Sequence, residues 1–251
     1  MRKTAIVTGA SSGIGRALAI KLAENGYDLV ITGRRTDRLA DLEKELKKAG
    51  ADVLSFVFDV SKCEEVKSNL GTLSGKWAKI DLLVNNAGGA LGKEPIQEGA
   101  IEDWDRMIDT NVKGLLYVSR IILPMMCRNN GGHIVNLCSI AGKQVYAEGN
   151  VYCASKHAVD AISKAIRIDA LPYGVKVTNI CPGAVETEFS IVRFHGDEEK
   201  AAATYKGFTP LTAEDIADTI YYCVSLPAHV CINDLTIMPT AQADSAHFFK
   251  K

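Results

Sequence analysis

The sequence predicts an α/β fold: a single doubly wound parallel sheet of about seven strands with helices on both faces. Three observations predict it. Short β-rich runs alternate with longer helical patterns along the whole chain. The strand runs are apolar throughout, where a half-exposed strand would alternate apolar and polar residues. Finally, the first run ends in a glycine turn that opens a helix. Strands apolar on both faces must be covered on both, and the intervening helices supply that cover.

Taken in order, the candidate strands are Thr4–Thr8, Asp28–Thr32, Val53–Val57, Leu82–Val84, His133–Leu137, Val175–Ile180 and Leu235–Met238. Each is built largely from β-branched and aliphatic residues. The candidate helices run over 14–25, 36–49, 63–77, 101–127, 151–171 and 213–225, where apolar residues recur at helical spacing. The charged stretch Leu42-Glu-Lys-Glu-Leu-Lys-Lys48 reads as a solvated helix face. No linker or low-complexity segment divides the chain, and 251 residues with 47% hydrophobic content suffice for one large core.

Composition excludes several classes. The net charge of −1 offers no basic footprint for nucleic acid or a membrane surface. Seven scattered cysteines, an odd count without a Cys-x-x-Cys pair, predict free thiols and no zinc site or disulfide framework. No metal is expected. The first strand follows the N-terminus too closely for a signal peptide, and no apolar run reaches bilayer length. These features predict a soluble, cytoplasmic protein.

The turn after the first strand reads Thr8-Gly9-Ala-Ser11-Ser12-Gly13-Ile14-Gly15. Glycines there permit a tight turn and let backbone N–H groups at the helix start approach a pyrophosphate. The spacing Gly-x-x-x-Gly-x-Gly differs from the commonest dinucleotide fingerprint, and a plain strand–helix turn is the alternative. Its position in the first βαβ unit favours a Rossmann-like dinucleotide site at Gly9, Ser11, Ser12, Gly13, Ile14 and Gly15. The second strand ends in Arg34-Arg35, with no acid to hold a ribose 2′-hydroxyl. Guanidinium forks suit a 2′-phosphate, which selects NADP(H), although two surface arginines would look the same. Asp59 and Val60 follow the third strand and are placed to touch the adenine. Asn85-Asn86-Ala87-Gly88 makes a polar turn after the fourth. Asn111 lies inside an apolar helical pattern, where a buried amide needs partners or bonds a neighbouring helix.

Ser139 ends the fifth strand, and Tyr152 and Lys156 lie four apart at the start of the next helix, on one face. A free phenol, with pKa about 10, is a weak acid or base at neutral pH. A fixed ammonium one turn away favours the phenolate, and Ser139 can donate to the same substrate oxygen. This arrangement suits moving a proton on and off a carbonyl or alcohol oxygen. A Tyr-x-x-x-Lys pair alone also fits an ordinary amphipathic helix.

The ordered set Thr8-Gly9-x-x-x-Gly13-x-Gly15, Asn85-Asn86-Ala87-Gly88, Asn111, Ser139, Tyr152-x-x-x-Lys156 and Pro182-Gly183 with Thr187 resembles the short-chain dehydrogenase/reductase family from Thr4 to about Met238. The resemblance implies an oxidoreductase with a cofactor half over about 1–130 and a catalytic and substrate half over about 131–240, followed by a tail at 241–251. It implies Tyr152 as general acid/base, Lys156 holding the nicotinamide ribose, Ser139 on the substrate oxygen, and Asn111 in a proton relay. Asn86, Ala87, Gly88, Pro182, Gly183, Val185 and Thr187 would then touch the cofactor, Thr187 at the nicotinamide carboxamide. Asp109–Val118, Glu188–Phe194, Gly196–Lys200, Ser225–Val230 and Ile237–Thr240 further resemble the NADP-dependent 3-hydroxy acid dehydrogenases, which oxidise serine and L-allo-threonine. Cys153 departs from the usual pattern, and the tail carries no identifiable catalytic feature. A ketone, diketone or 3-oxoacyl thioester reductase would use the same machinery. A non-catalytic NADP sensor would not need Ser139, Tyr152 and Lys156 together.

Two more expectations follow. Glu186–Lys206 reads as a long loop at the ligand-binding edge, apolar through Phe189, Ile191, Val192 and Phe194, with Arg193 placed to hold a substrate carboxylate. Pairing of Arg193 with Asp197, Glu198 or Glu199 is the alternative. Helix 101–127 carries more apolar surface than one sheet face needs, at Trp104, Ile108, Val112, Leu115, Leu116, Ile121 and Ile122. The resemblance implies that this helix and the one after Ser139 pair between copies, giving a homotetramer.

Overall fold

The structure, a computed structural model, describes residues 2–251. Seven strands form one parallel sheet: β1 (Lys3–Val7), β2 (Tyr27–Gly33), β3 (Val53–Val57), β4 (Leu82–Asn85), β5 (Gly132–Leu137), β6 (Val175–Pro182) and β7 (Asp234–Ile237), in spatial order β3-β2-β1-β4-β5-β6-β7. Nine α-helices accompany them among the described residues: α1 (Gly13–Glu24), α2 (Thr36–Lys48), α3 (Cys63–Leu70), α4 (Ile101–Ile108), α5 (Leu115–Arg128), α6 (Asn150–Ala170), α7 (Phe189–Arg193), α8 (Glu198–Tyr205) and α9 (Ala213–Ser225).

The period of two in the strands divides the core into two layers. On β1, Ala5 and Val7 face one layer and Ile6 the other; on β2, Leu29 and Ile31 oppose Val30. The first layer is closed by Leu18 and Leu22 of α1, Leu39, Leu42 and Leu46 of α2, and Ile216 and Ile220 of α9. The second is closed by Val66 and Leu70 of α3, Val118, Ile122 and Met126 of α5, and Val159 and Ile166 of α6. Full burial of each such aliphatic side chain contributes about 1.5–3 kcal/mol. The sheet order reverses between β1 and β4, so their carboxyl ends diverge into a crevice, where open α/β sheets bind ligands.

Three expectations change in detail. The helix expected at 63–77 stops at Leu70 before Gly71, and a 3₁₀ turn follows at Gly75–Ala78. The helix expected at 101–127 is α4 and α5 joined by a π-helical turn, Asp109–Gly114, which contains Asn111. Such single π turns often mark functional sites. The expected loop Glu186–Lys206 instead contains α7 and α8, the latter started by Asp197, which accepts from Lys200 N at 3.0 Å. No described helix is long and apolar enough to cross a membrane, and the described residues contain no metal-binding cluster.

Candidate active site

The glycine turn between β1 and α1 is fixed by contacts that only glycine allows. Gly9 has φ +65° and Gly13 φ +51°. A Cβ on Gly15 would lie 2.5 Å from Gly9 O, and one on Gly9 2.9 Å from Ala87 Cα. The turn after β4 is knitted onto it. Thr8 Oγ1 accepts from the backbones of Asn86 and Ala87, each at 3.0 Å, while Asn86 Nδ2 donates to Thr8 O at 2.8 Å and Gly9 O at 3.1 Å. No side chain caps the N-terminus of α1, so its first N–H groups stay available to an anion.

A cavity of about 530 Å³ opens along these carboxyl ends. Apart from Gly15 and Asn111, every candidate site residue lines it. Gly15 lies beneath the glycine turn. Asn111 sits behind the cavity: its Oδ1 accepts from Gly89 N at 2.9 Å, and its Nδ2 donates to Gly89 O at 2.8 Å and Ser155 Oγ at 3.0 Å. It therefore pins the Gly88–Gly89 turn to α6, so the expected helix–helix hydrogen bond exists as well. Gly114, at the end of the π turn, admits Val60, because a Cβ there would lie 2.8 Å from Val60 Cγ2.

The two expected arginines differ. Arg34 is more than half exposed and lies 3.6 Å from Asp59 Oδ2. Arg35 turns inward, donating to Ser11 Oγ at 3.1–3.2 Å and Ser12 Oγ at 2.5 Å. Its Nη1 donates to Glu188 Oε2 at 2.8 Å, and Arg38, one helical turn on, donates to Glu188 Oε1. Together Arg35, Arg38, Ser11 and Ser12 form an anion-binding corner at the end of β2. The glycine turn, the open α1 terminus and this corner fit a phosphorylated dinucleotide.

At the other end, Ser139 closes β5 with its Oγ accepting from Ala141 N at 3.1 Å and donating to Pro182 O at 3.5 Å. Lys156 Nζ donates to Leu137 O at 2.8 Å and lies 5.9 Å from the centre of the Tyr152 ring. Burial pushes the Tyr152 phenol well up; Tyr146 adds to this, while the Ser139 hydroxyl and the Arg193 guanidinium pull it down. Burial lowers Lys156, so the ammonium expected to draw Tyr152 down is itself weakened. Gly183 N donates to Ile237 O at 2.8 Å, Val185 pairs with Leu211, and Thr187 lies over Gly13.

Arg193, in α7, reaches this end. Its Nε donates to Gly92 O at 3.2 Å, its Nη1 to the Tyr146 hydroxyl at 3.0 Å, and its guanidinium lies 5.6 Å from the Tyr152 ring centre. Its Nη2 is buried with no partner. Asp197 turns to Lys200 instead, and neither Glu198 nor Glu199 forms an ion pair with Arg193.

Sequence reasoning missed Arg38, Tyr146, Glu188, and the tail residues Gln242, Ser245 and Phe248. Of these, Arg38 carried a signal, three positions after Arg35 on one helix face. The tail folds back through a Gln242–Phe248 bridge. Gln242 Oε1 accepts from Ala184 N at 2.8 Å, and Phe248 packs on Phe208 with ring centres 5.1 Å apart.

A crossover parallel sheet with a glycine turn at one end of the crevice and a buried Ser–Tyr–Lys cluster at the other is the architecture of a dinucleotide-dependent dehydrogenase. The chain belongs to the short chain dehydrogenase family, whose model matches residues 3–197. It is 47% identical over 239 residues to an NADP-dependent 3-hydroxy acid dehydrogenase of Salmonella typhimurium, covering 95% of each chain. It is 44% identical over 247 residues to sulfoacetaldehyde reductase 2 of Chromohalobacter salexigens, covering 98% of each. Among solved structures, the closed form of serine dehydrogenase complexed with NADP⁺ matches with a TM-score of 0.93 and 42% identity over 99% of both chains.

Proposed function

We propose that this protein is an NADP(H)-dependent oxidoreductase acting on the CH–OH group of a small 3-hydroxy acid of the serine, L-allo-threonine or 3-hydroxypropionate type. One observation carries the substrate class. Arg193 is clasped by Gly92 and Tyr146 beside Tyr152, and its remaining Nη2 is buried without a partner. A buried unpaired guanidinium nitrogen calls for an anionic acceptor. A carboxylate set on Arg193 brings the neighbouring hydroxyl carbon toward Tyr152 and Ser139. The sulfonate relative is consistent with the same rule, since a sulfonate also offers a guanidinium its oxygens.

Arg35, Arg38, Ser11 and Ser12 would hold the 2′-phosphate, the glycine turn and α1 the pyrophosphate, and Lys156 with Thr187 the nicotinamide end. Asp59 and Val60 would border the adenine. When bound, the nicotinamide supplies or accepts the hydride. Tyr152 transfers the proton at the substrate oxygen and Ser139 orients and polarises that oxygen. A phenol raised by burial stays protonated at neutral pH, which suits donation during carbonyl reduction. Asn111 holds the Gly88–Gly89 turn and α6 in mutual register, and so positions Lys156.

The reading includes the division near residue 130 into cofactor and substrate halves, a cytoplasmic location and a homotetramer. The test uses matched substrates. Arg193→Ala should raise KM for a 3-hydroxy acid about ten- to a hundredfold and leave KM for a neutral secondary alcohol nearly unchanged. An equal loss on both would mean that Arg193 only supports the segment around α7.

A further inference from the structure

Glu188 opens the segment that carries Arg193, yet its side chain reaches back across the crevice. Its Oε2 accepts from Arg35 Nη1 at 2.8 Å and its Oε1 accepts from Arg38 Nη1. Arg35 also bonds Ser11 and Ser12 of the glycine turn. Two guanidinium forks and two hydroxyls therefore converge on one corner, and among the described residues Glu188 is the only acid paired with either arginine. The two arginines hold the Glu188 carboxylate below its usual range. Thr187, the residue before it, lies over Gly13, where a Cβ would meet Thr187 at 3.4 Å. The chain thus crosses the glycine turn just before it reaches the arginines.

We infer that Glu188 is an internal stand-in for the 2′-phosphate: it neutralises the Arg35–Arg38 corner, competes with the phosphate for it, and links the Glu186–Lys206 segment, acting as a lid on the crevice, to occupancy of the cofactor site. The inference rests on the NADP(H) reading above. Carboxylate and phosphate are alternative acceptors for the same forks. They cannot share the forks without like-charge repulsion. A phosphate monoester brings close to two negative charges and three acceptor oxygens, about −1.5 to −2 at pH 7, against a single carboxylate charge. It therefore displaces Glu188. A cofactor without the 2′-phosphate has no group to do so and leaves the lid tethered. Once displaced, Glu188 no longer holds the lid to α2. Arg193 on Gly92 and Tyr205 on Val185 remain as tethers. The carboxylate thus lowers the absolute affinity for the phosphorylated cofactor while keeping the arginines ordered before it arrives.

The full-length protein, wild type and Glu188→Gln, is titrated calorimetrically with 2′,5′-ADP and with 5′-ADP. Removing the competing charge should tighten 2′,5′-ADP about ten- to a hundredfold and leave 5′-ADP unchanged, the range expected for one charged contact. Unchanged or weaker binding of 2′,5′-ADP by the variant overturns the inference. Limited proteolysis gives a readout independent of turnover. In the wild type, 2′,5′-ADP should hasten cleavage within Glu186–Lys206 and 5′-ADP should not; in Glu188→Gln, cleavage should be fast without ligand. Lid cleavage indifferent to 2′,5′-ADP in the wild type sinks the coupling. Should Glu188→Gln fold poorly, Glu188→Asp, which shortens the reach to both arginines, is expected to tighten 2′,5′-ADP by a smaller factor, and no gain there is equally adverse. If the wild type itself prefers 5′-ADP or binds the two equally, the NADP(H) reading fails first. A wild-type preference for 2′,5′-ADP with no gain in either variant rejects the role of Glu188 alone.

Discussion

Tyr152 is buried among Ser139, Tyr146, Phe189 and Arg193, and in the proposed mechanism its hydroxyl carries the substrate proton. Tyr152→Phe keeps the ring and its edge contact with Phe189 while deleting that oxygen. Turnover should fall by about a hundredfold or more, the scale of a lost general acid/base. NADPH binding, followed by fluorescence titration, should stay within a few-fold of wild type, since the corner at Arg35 is untouched. Substantial remaining activity would place the proton transfer elsewhere. The Tyr152–Lys156 pair was legible because a four-residue spacing fixes a shared helix face regardless of the rest of the fold. Arg193 was legible as a single cation in an apolar stretch. Glu188 and Tyr146 were not. Glu188 meets Arg35 across 153 positions and Tyr146 meets Arg193 across 47, and spacing speaks only for neighbours within a turn or a strand pair.

Between neighbouring strands, the parallel register aligns polar residues that the sequence scatters. Asn85, Asn136, Asn179 and Asp234 are successive partners across β4, β5, β6 and β7. Asn85 Nδ2 donates to Asn136 Oδ1 at 2.9 Å, and Asn179 Nδ2 donates to Asp234 Oδ1 at 2.9 Å and to Asp160 Oδ1 of α6 at 3.0 Å. This polar row links the sheet to the helix carrying Tyr152 and was invisible before the strand order was known. The π turn was hidden too, because the apolar pattern continues unbroken through Asn111. The stretch holding α8 was read as loop, although Asp197 followed by Glu198 and Glu199 is a cap with an acidic first turn. His133 makes strand pairing sensitive to acid. Thr178 Oγ1 donates to Ile232 O at 2.7 Å, so it accepts from His133 Nε2 at 2.7 Å, and His133 Nδ1 is left buried without a partner. Protonating Nδ1 would bury a charge; burial, with a smaller push from Lys176, lowers the pKa from 6.5 to about 3. Below pH 6.5 the unfolded chain takes up this proton and the folded one does not, so stability is full above that value and falls as pH drops toward 3. Between pH 7 and 5 this group alone should remove about 2 kcal/mol. In urea unfolding, His133→Asn, which keeps an amide donor for Thr178, should lose correspondingly less over that interval. Identical pH dependence in both proteins would contradict the assignment.

At the scale of the whole molecule, the sheet was legible because its strands read as short, largely apolar runs between helical patterns, and its boundaries differ by only a residue or two from the sequence pattern. The tail was not legible. Gln242 and Phe248 take their places from Ala184 and Phe208, contacts that no local pattern encodes. Assembly tests the remaining apolar surface. The surplus expected on residues 101–127 is mostly satisfied within the chain: Leu115 and Ile122 lie in the core, Ile121 packs against it, and Trp104, Ile108 and Val112 are half-buried. Leu116 of α5 stays exposed at 42%, as do Ile168 at 73%, Leu171 at 74% and Tyr173 at 46% at the end of α6 and just beyond. The turn Leu171–Tyr173 packs beside α5, so Ile168, Leu171 and Tyr173 lie on the elements next to the helix that carries Leu116. Apolar groups gathered on adjacent helices favour burial against another copy, and an interface built on paired helices becomes the centre of a closed symmetric assembly. The proposed homotetramer predicts a mass near four times 27.1 kDa by light scattering at micromolar concentration. Leu116→Glu with Ile168→Glu places charges on that surface and should shift the mass toward smaller species while far-ultraviolet circular dichroism stays unchanged. A monomeric wild type would show that these side chains are ordinary exposed apolar surface and that the active site is complete within one chain.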